Sequence, residues 1–183
     1  MELRQLIRDV QDFPKPGVGY RDVLPMLADG KAFAQVVQQM AAPWRQLDVQ
    51  ANVQADVQAN VQVVAGIEAR GFMLAGALAL TLQAGFMPLR KAGKLPGRVE
   101  RVAYSLEYGE AVLEAQTEVL LPGTRVLLID DVLATGGTLR AALELMSRLR
   151  VKVVGVGVML ELGFLGGRGK LPVALPVHTL FRE

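Results

Sequence analysis

Two adjacent carboxylates, Asp130 and Asp131, follow the aliphatic run Val126–Ile129 and precede the bend Ala134, Thr135, Gly136, Gly137 and Thr138. The aliphatic run reads as a buried strand. The residues from Thr138 onward have helical spacing, so the bend lies where a strand hands over to a helix. In a parallel sheet, ligands bind beyond the carboxyl ends of the strands, where helices begin. Free amides at a helix start, together with the positive end of the helix dipole, make an anion site. Gly136 and Gly137 open backbone conformations closed to other residues and let a phosphate come close. Thr135 and Thr138 add hydroxyl donors. Carboxylates are poor partners for phosphate but good acceptors for sugar hydroxyls. A ribose 5-phosphate therefore fits, with its phosphate in the bend and its 2′- and 3′-hydroxyls on Asp130 and Asp131. The plainer alternative is that the two acids only cap the following helix.

Other chemistries are poorly provided for. The bend lacks the GxxxxGK[ST] pattern of a P-loop, and the glycines from Gly155 lack the third glycine of a dinucleotide fingerprint. The chain has no cysteine and one histidine, His178, which excludes disulfides and thiolate sites and disfavours a His-rich zinc site. Two cationic features stand out. Arg70 sits at the start of an expected helix, where a positive charge opposes the dipole and suggests a missing anion. Arg90, Lys91 and Lys94 lie among glycine and proline in "RKAGKLPG", which reads as a mobile segment.

The elements that must position these residues can be read from periodicity. Residues Lys31 to Trp44 look helical, with Phe33, Val36, Val37 and Met40 on one face. "VQVVAGI" reads as a strand, Gly71 to Ala84 as an apolar helix, "GFMPL" as a short strand and "VLLID" as a strand. A helix follows over Thr138 to Arg150, with Leu139, Leu143, Met146 and Leu145 or Leu149 facing inward. "KVVGVGVML" and "PVHTLF" are further strands. Continuously apolar strands alternating with helices argue for an α/β fold with a mostly parallel sheet covered on both faces. "RVAYSLEY" and "VLEAQTEV" alternate in twos, as an inserted antiparallel hairpin would. The first thirty residues, rich in proline and glycine, read as a short helix and an irregular hood segment, 1–30, set before a core domain, 31–183. A tandem octad, "DVQANVQA" then "DVQANVQV" over 48–63, reads as a local duplication that lengthens one surface connection.

The 183 residues fit one ordinary domain, and an apolar share of 51% supplies its core. The net charge of +2 carries no clustered basic face, so nucleic acid is not an expected partner, while a small anionic ligand is. The N-terminal residues lack the apolar run of a secretory signal. The most lipid-like stretch, Gly71 to Leu82, is too short to span a bilayer. A soluble cytoplasmic protein without membrane partners is expected.

"VLLIDDVLATGGT" resembles the phosphoribosyl-diphosphate-binding motif of the type I phosphoribosyltransferases. "DFPKPGVGYRD", "GIEARGF" and "RKAGKLPG…YSLEYG" resemble the adenine-using members of that family in order and spacing along almost the whole chain, the duplicated octad excepted. The resemblance implies a type I phosphoribosyltransferase fold, with an inserted hairpin lid over 90–121. It implies transfer of a phosphoribosyl group from phosphoribosyl diphosphate to adenine, magnesium carried by the substrate with no direct protein ligand, and a homodimer.

Roles follow from the same resemblance. Ala134, Thr135, Gly136, Gly137 and Thr138 would hold the 5′-phosphate, and Asp130 and Asp131 the ribose hydroxyls. Ala69 and Arg70 would face the diphosphate. Arg90, Lys91 and Lys94 would neutralise the leaving diphosphate from a closing lid. Glu107 would reach the purine imidazole nitrogen, and Glu107, Arg70 and Asp131 would form the catalytic set. The base would lie between Tyr20 and Val132, with backbone groups of Gly19 and Arg21 reading its edge. The family pattern has an aliphatic residue and then Phe where this chain has Gly19 and Tyr20, which loosens the pocket wall. A 6-oxopurine-using enzyme and a non-catalytic nucleotide-sensing regulator remain as alternatives.

Overall fold

The computed structural model describes residues 2–13, 15–45, 61–106 and 109–183. The chain opens with two short antiparallel strands, β1 (Arg8–Val10) and β2 (Tyr20–Asp22). Helices α1 (Leu24–Ala28) and α2 (Gly30–Ala41) follow. Then come β3 (Val63–Ile67), α3 (Arg70–Thr81), β4 (Gly85–Lys91), β5 (Val99–Leu106) and β6 (Gly109–Gln116). The chain finishes with β7 (Arg125–Leu133), α4 (Gly137–Arg148), β8 (Lys152–Glu161) and β9 (Val177–Arg182). The central sheet has seven strands in the order β5-β6-β4-β3-β7-β8-β9. Strands β4, β3, β7, β8 and β9 run parallel, and β6 and β5 are added antiparallel.

Strand order reverses between β3 and β7. From β3 the chain crosses through α3 to β4 on one side, and from β7 it crosses through α4 to β8 on the other. The crevice outside their carboxyl ends is the switch point at which ligands bind in such sheets.

Alternation along β7 divides the core. Val126 and Leu128 pack with Leu139, Leu145 and Met146 of α4, whereas Leu127 and Ile129 pack with Leu74 and Leu78 of α3 and with Val36 and Met40 of α2. Both faces of the sheet are thus covered, which explains why its central strands carry long consecutive apolar runs. Removing each side chain from water contributes about 1.5–3 kcal/mol.

Three elements differ from their sequence reading. The helix predicted to reach Trp44 ends at Ala41, where Pro43 tightens the chain into a 3-10 turn. Strand β7 does not stop at Asp130 but runs on through Asp131 to Leu133, paired to β8 as far as Leu133 opposite Glu161. Arg90 and Lys91 belong to β4, paired with Glu114 and Leu113 of β6, and not to a free segment. The antiparallel hairpin is present as β5 and β6, with Leu106 opposite Gly109. Most of the duplicated octad, and Glu107, lie outside the described residues. No helix among the described residues is long and apolar enough to cross a membrane.

Candidate active site

Two helices begin beside one another at the switch point, and neither has a capping side chain. At the start of α3 the residue before the helix is Ala69, and at the start of α4 it is Gly136. By contrast, α2 is capped by Asp29, which accepts from the amides of Lys31 at 2.9 Å and Ala32 at 2.8 Å. The first amides of an uncapped helix lack intrahelical partners, and the dipole adds partial positive charge at the same place. The turn into α3 contains a cis peptide between Glu68 and Ala69.

Close backbone approach seats the α3 start against the end of β7. A methyl carbon on Gly71 would lie 3.0 Å from the Ile129 carbonyl oxygen and 3.3 Å from Asp130 Oδ1. Only a residue without Cβ lets α3 rest this closely against β7. Gly136 has φ +80°, a left-handed conformation that disfavours any side chain. Residues Val132 to Leu139 line a small cavity at the bend, which includes all of Ala134, Thr135, Gly136, Gly137 and Thr138.

Asp130 and Asp131 are both buried, at 8% and 5% exposure. Burial foremost, and then the negative charge of Asp131, pushes Asp130 well above the usual carboxylate range. Burial also raises Asp131, and the Arg70 guanidinium pulls it back without cancelling the shift. Arg70 Nε lies 2.7 Å from Asp131 Oδ2, close enough for ionic attraction. That contact lacks hydrogen-bond alignment, because Oδ2 is buried without an aligned donor. Asp130 Oδ1 accepts from the amide of Asp131 at 2.9 Å.

Tyr20 joins the same cluster. Its hydroxyl contacts Arg70 Nη1, and the Arg70 guanidinium carbon stands 5.1 Å from the centre of its ring. Phe13 packs edge-on against Tyr20 at 5.0 Å. Gly19 and Arg21, flanking Tyr20, line a different cavity of about 330 Å³ together with Gln11, Leu162, Phe164 and Leu165. Val132 is on the wall of the bend cavity instead. Arg21 Nε also reaches Glu183 Oε2 at 2.6 Å.

The cations from "RKAGKLPG" converge on Glu68, the residue before the cis peptide. Arg90 Nε is 3.4 Å from Glu68 Oε2, Lys94 Nζ contacts Oε1, and the Lys91 amide donates to Oε2 at 2.9 Å. Lys91 contributes its backbone here, and its side chain is exposed. Burial alone would raise Glu68. The hydrogen bonds from Lys94 and the Lys91 amide, with the charges of Lys94 and Arg90, outweigh it and leave the carboxyl below its ordinary value. Glu114, 1% exposed on β6, accepts from the Gly93 amide at 2.9 Å and faces Arg101 Nε at 2.6 Å, fixing the turn after β4 to the hairpin.

Several site-lining residues were not singled out from sequence. Leu162, Phe164 and Leu165 sit beyond β8, where no motif marks them, and only the fold places them opposite Gly19. Tyr104 of β5 reaches the start of α4. Burial raises its phenol, a hydrogen bond with Thr138 opposes that, and the Asp130 charge adds to it. Period-two alternation in "RVAYSLEY" was the available signal, since it placed Tyr104 on one face of the hairpin.

The phosphoribosyl transferase domain family matches residues 26–172. A Xanthomonas campestris protein named adenine phosphoribosyltransferase is 50% identical over 164 residues, covering 90% of this chain and 82% of its own. One of the same name from Symbiobacterium thermophilum is 46% identical over 171 residues, covering 93% and 94%. The crystal structure of adenine phosphoribosyltransferase from Rhodothermus marinus superposes with a TM-score of 0.87 at 40% identity, covering 99% of this chain and 96% of its own. The Saccharomyces cerevisiae enzyme, complexed with an imino-altritol bisphosphate and adenine, superposes with a TM-score of 0.85 at 33% identity, covering 98% and 96%. An uncapped pair of helix starts over a buried acid pair, on this sheet and with these relatives, identifies the chain as a member of the phosphoribosyl transferase family.

Proposed function

We infer that the chain transfers the 5-phosphoribosyl group from phosphoribosyl diphosphate to adenine, giving AMP and diphosphate. The observation that carries this reading is the convergence of the α3 and α4 starts on Asp130 and Asp131 at the switch point. The bend from Ala134 to Thr138 takes the 5′-phosphate on its amides and on the hydroxyls of Thr135 and Thr138. Asp130 and Asp131 accept the ribose hydroxyls, with Arg70 beside Asp131 facing the diphosphate from the turn that Ala69 begins.

The chemistry follows from charge. The bond from ribose C1′ to the diphosphate oxygen lengthens, the ring gains oxocarbenium character, and a purine nitrogen attacks C1′. Arg70, Arg90 and Lys94 offset charge on the departing diphosphate, a stabilisation of the transition state by preplaced charges. Phosphoribosyl diphosphate would bring magnesium with it, and the cation would offset charge on the departing diphosphate. Asp130 and Asp131 would take the ribose hydroxyls and leave that cation to the substrate, with no direct protein ligand. The hairpin region 90–121 serves as the lid over the core domain 31–183, and Glu107 serves the purine imidazole nitrogen. The purine lies in the crevice between the hood 1–30 and β7, against Tyr20 and Val132, with Gly19 and Arg21 reading its edge. Leu162, Phe164 and Leu165 supply an apolar wall on that side.

A homodimer accompanies this reading. Between Arg70 and Thr81, helix α3 is apolar all round: Leu74 and Leu78 face the core, while Met73 and Leu80 stand exposed on its outer side, with Phe86 of β4 also exposed. A helix without a polar face belongs in an interior, and a second copy of the chain supplies one.

Product formation from adenine, hypoxanthine, guanine and xanthine, each with phosphoribosyl diphosphate and magnesium, tests the function. AMP formation alone supports it. Turnover confined to an oxopurine, or ligand binding without any turnover, replaces it with one of the two alternatives.

A further inference from the structure

Gly167 touches the phosphate-binding bend from behind, backbone to backbone. A methyl carbon on Gly167 would lie 2.1 Å from the Ala134 carbonyl oxygen and 2.8 Å from the Gly136 nitrogen. One on Gly136 would lie 2.5 Å from the Gly167 carbonyl oxygen. The bend has no capping side chain of its own, and it carries the left-handed Gly136. Its shape therefore depends on what it rests against, and it rests on a short 3-10 turn, Gly167–Lys170.

That turn is fixed by its second residue. Arg168 Nε donates to Glu161 Oε1 at 3.0 Å and Oε2 at 3.1 Å, and its Nη2 reaches Oε2 at 2.5 Å. Its Nη1 donates to the Val177 carbonyl at 2.9 Å, and Nη2 to Thr179 Oγ1 at 2.7 Å. Thr179 Oγ1 in turn donates to Glu161 Oε2 at 2.9 Å. Glu161 is 2% exposed and ends β8 opposite Leu133, the residue before the bend. The Leu162 amide donates to the Leu133 carbonyl at 2.9 Å, so acid and bend share one stretch of sheet. Arg182 stands 3.6 Å from Glu161 as a second cation. A planar guanidinium in a fork on one carboxylate, with further acceptors on a neighbouring strand, has one orientation, and lysine cannot reproduce it.

We propose that Arg168, clamped by Glu161 and Thr179, is a positioning residue that holds the phosphate-binding bend in shape through the contact of Gly167 with Ala134 and Gly136. It touches neither substrate. The inference rests on the reading of the bend as the 5′-phosphate site and extends it to a support that has no group in the crevice. Amides must face the phosphate within tenths of an ångström for full effect, so a loosened support should weaken phosphate binding before anything else.

The test uses the full chain with Arg168→Lys, Arg168→Gln and Gly167→Ala. Calorimetry with ribose 5-phosphate reads the bend without turnover, and steady-state rates give KM for each substrate. The expected result is a rise of about tenfold in the ribose 5-phosphate Kd and in KM for phosphoribosyl diphosphate, with KM for adenine within about twofold. If Arg168→Gln fails to fold, Arg168→Lys decides, since it keeps the charge and loses only the fork. A folded Arg168→Lys with unchanged ribose 5-phosphate affinity overturns the proposal, as does an equal loss for adenine and phosphoribosyl diphosphate. Tight ribose 5-phosphate binding by the parent chain without any transferase activity removes the functional reading instead, and the dissociation constants then decide the positioning role alone.

Discussion

Arg70 Nε stands 2.7 Å from Asp131 Oδ2, and its guanidinium carbon stands 5.1 Å from the centre of the Tyr20 ring. One side chain thus ties the start of α3, the end of β7 and the N-terminal strand β2 together. It also compensates Asp131 Oδ2, an oxygen buried without an aligned donor. Arg70→Gln removes both effects. Asp131 is then left as an uncompensated buried charge, which costs about 1–3 kcal/mol after allowing for the partial exposure of Arg70. For a chain of this size that corresponds to a drop in Tm of roughly 2–12 °C. Turnover with adenine should fall by about 100-fold through loss of charge at the diphosphate. Thermal melting and steady-state rates check both, and an unchanged Tm would show that Asp131 finds another partner.

Asp130→Asn should separate stability from activity. The folded environment raises the Asp130 pKa, by burial first and by the Asp131 charge second. The folded state therefore holds this proton more tightly than the unfolded state. Asp130 begins to cost stability as pH rises past the unfolded carboxylate value of about 3.9, and the cost is complete above its folded pKa. Asparagine carries no such cost. The variant should melt higher than the parent at pH 8, the gain should shrink on acidification, and it should vanish near pH 3. Activity should fall by about 100-fold, since a ribose hydroxyl loses its charged acceptor. A melting curve at pH 8 that is lower than the parent's contradicts the assignment.

Tyr20 has two separable parts. Its ring faces Arg70 and packs on Phe13, and its hydroxyl contacts Arg70 Nη1. Tyr20→Phe keeps the ring, so KM for adenine should stay within about twofold while kcat falls about 3–10-fold as Arg70 loses one partner. Tyr20→Leu removes the aromatic face as well, and KM for adenine should rise about tenfold. Equal kinetics for the two variants would deny the ring a role against the purine.

The sequence carried the site's chemistry more fully than its geometry. The bend was legible because glycines, threonines and paired acids after an aliphatic run have few other uses together, and the sheet was legible because β3, β7 and β8 are apolar at consecutive positions. The extension of β7 past Asp130 to Leu133 was not, because a second carboxylate normally ends a strand, and only the register with β8 shows the acids are held inside the sheet. Nor was the convergence of Arg90, Lys94 and the Lys91 amide on Glu68, a contact across twenty-two to twenty-six positions that no local pattern encodes. The wall formed by Leu162, Phe164 and Leu165 has no sequence signature for the same reason: ordinary apolar residues acquire a role only from what lies opposite them.

Deleting residues 56–63 removes one copy of the octad, and the sequence itself supplies the replacements. Val61 is buried in the core, and Gln62 connects three strands' edges: its amide donates to the Arg125 carbonyl at 3.0 Å, its carbonyl accepts from Gly85 at 2.9 Å, and its side chain accepts from the Arg125 amide at 2.9 Å. After the deletion Val53 and Gln54 stand where Val61 and Gln62 stood relative to Val64, so both kinds of contact can be remade. The only change inside β3 is Ala55 in place of Val63, a half-buried position opposite Gly85 and Val126. Loss of two methyl groups there costs about 0.5–1.5 kcal/mol, partly offset by closing a shorter connection at a gain of about 0.6 kcal/mol for a halving of its length. Tm should therefore fall by no more than about 4 °C, with kcat and both KM values within about twofold of the parent. A loss of folding or a tenfold fall in turnover would mean that the second copy does something its twin cannot replace.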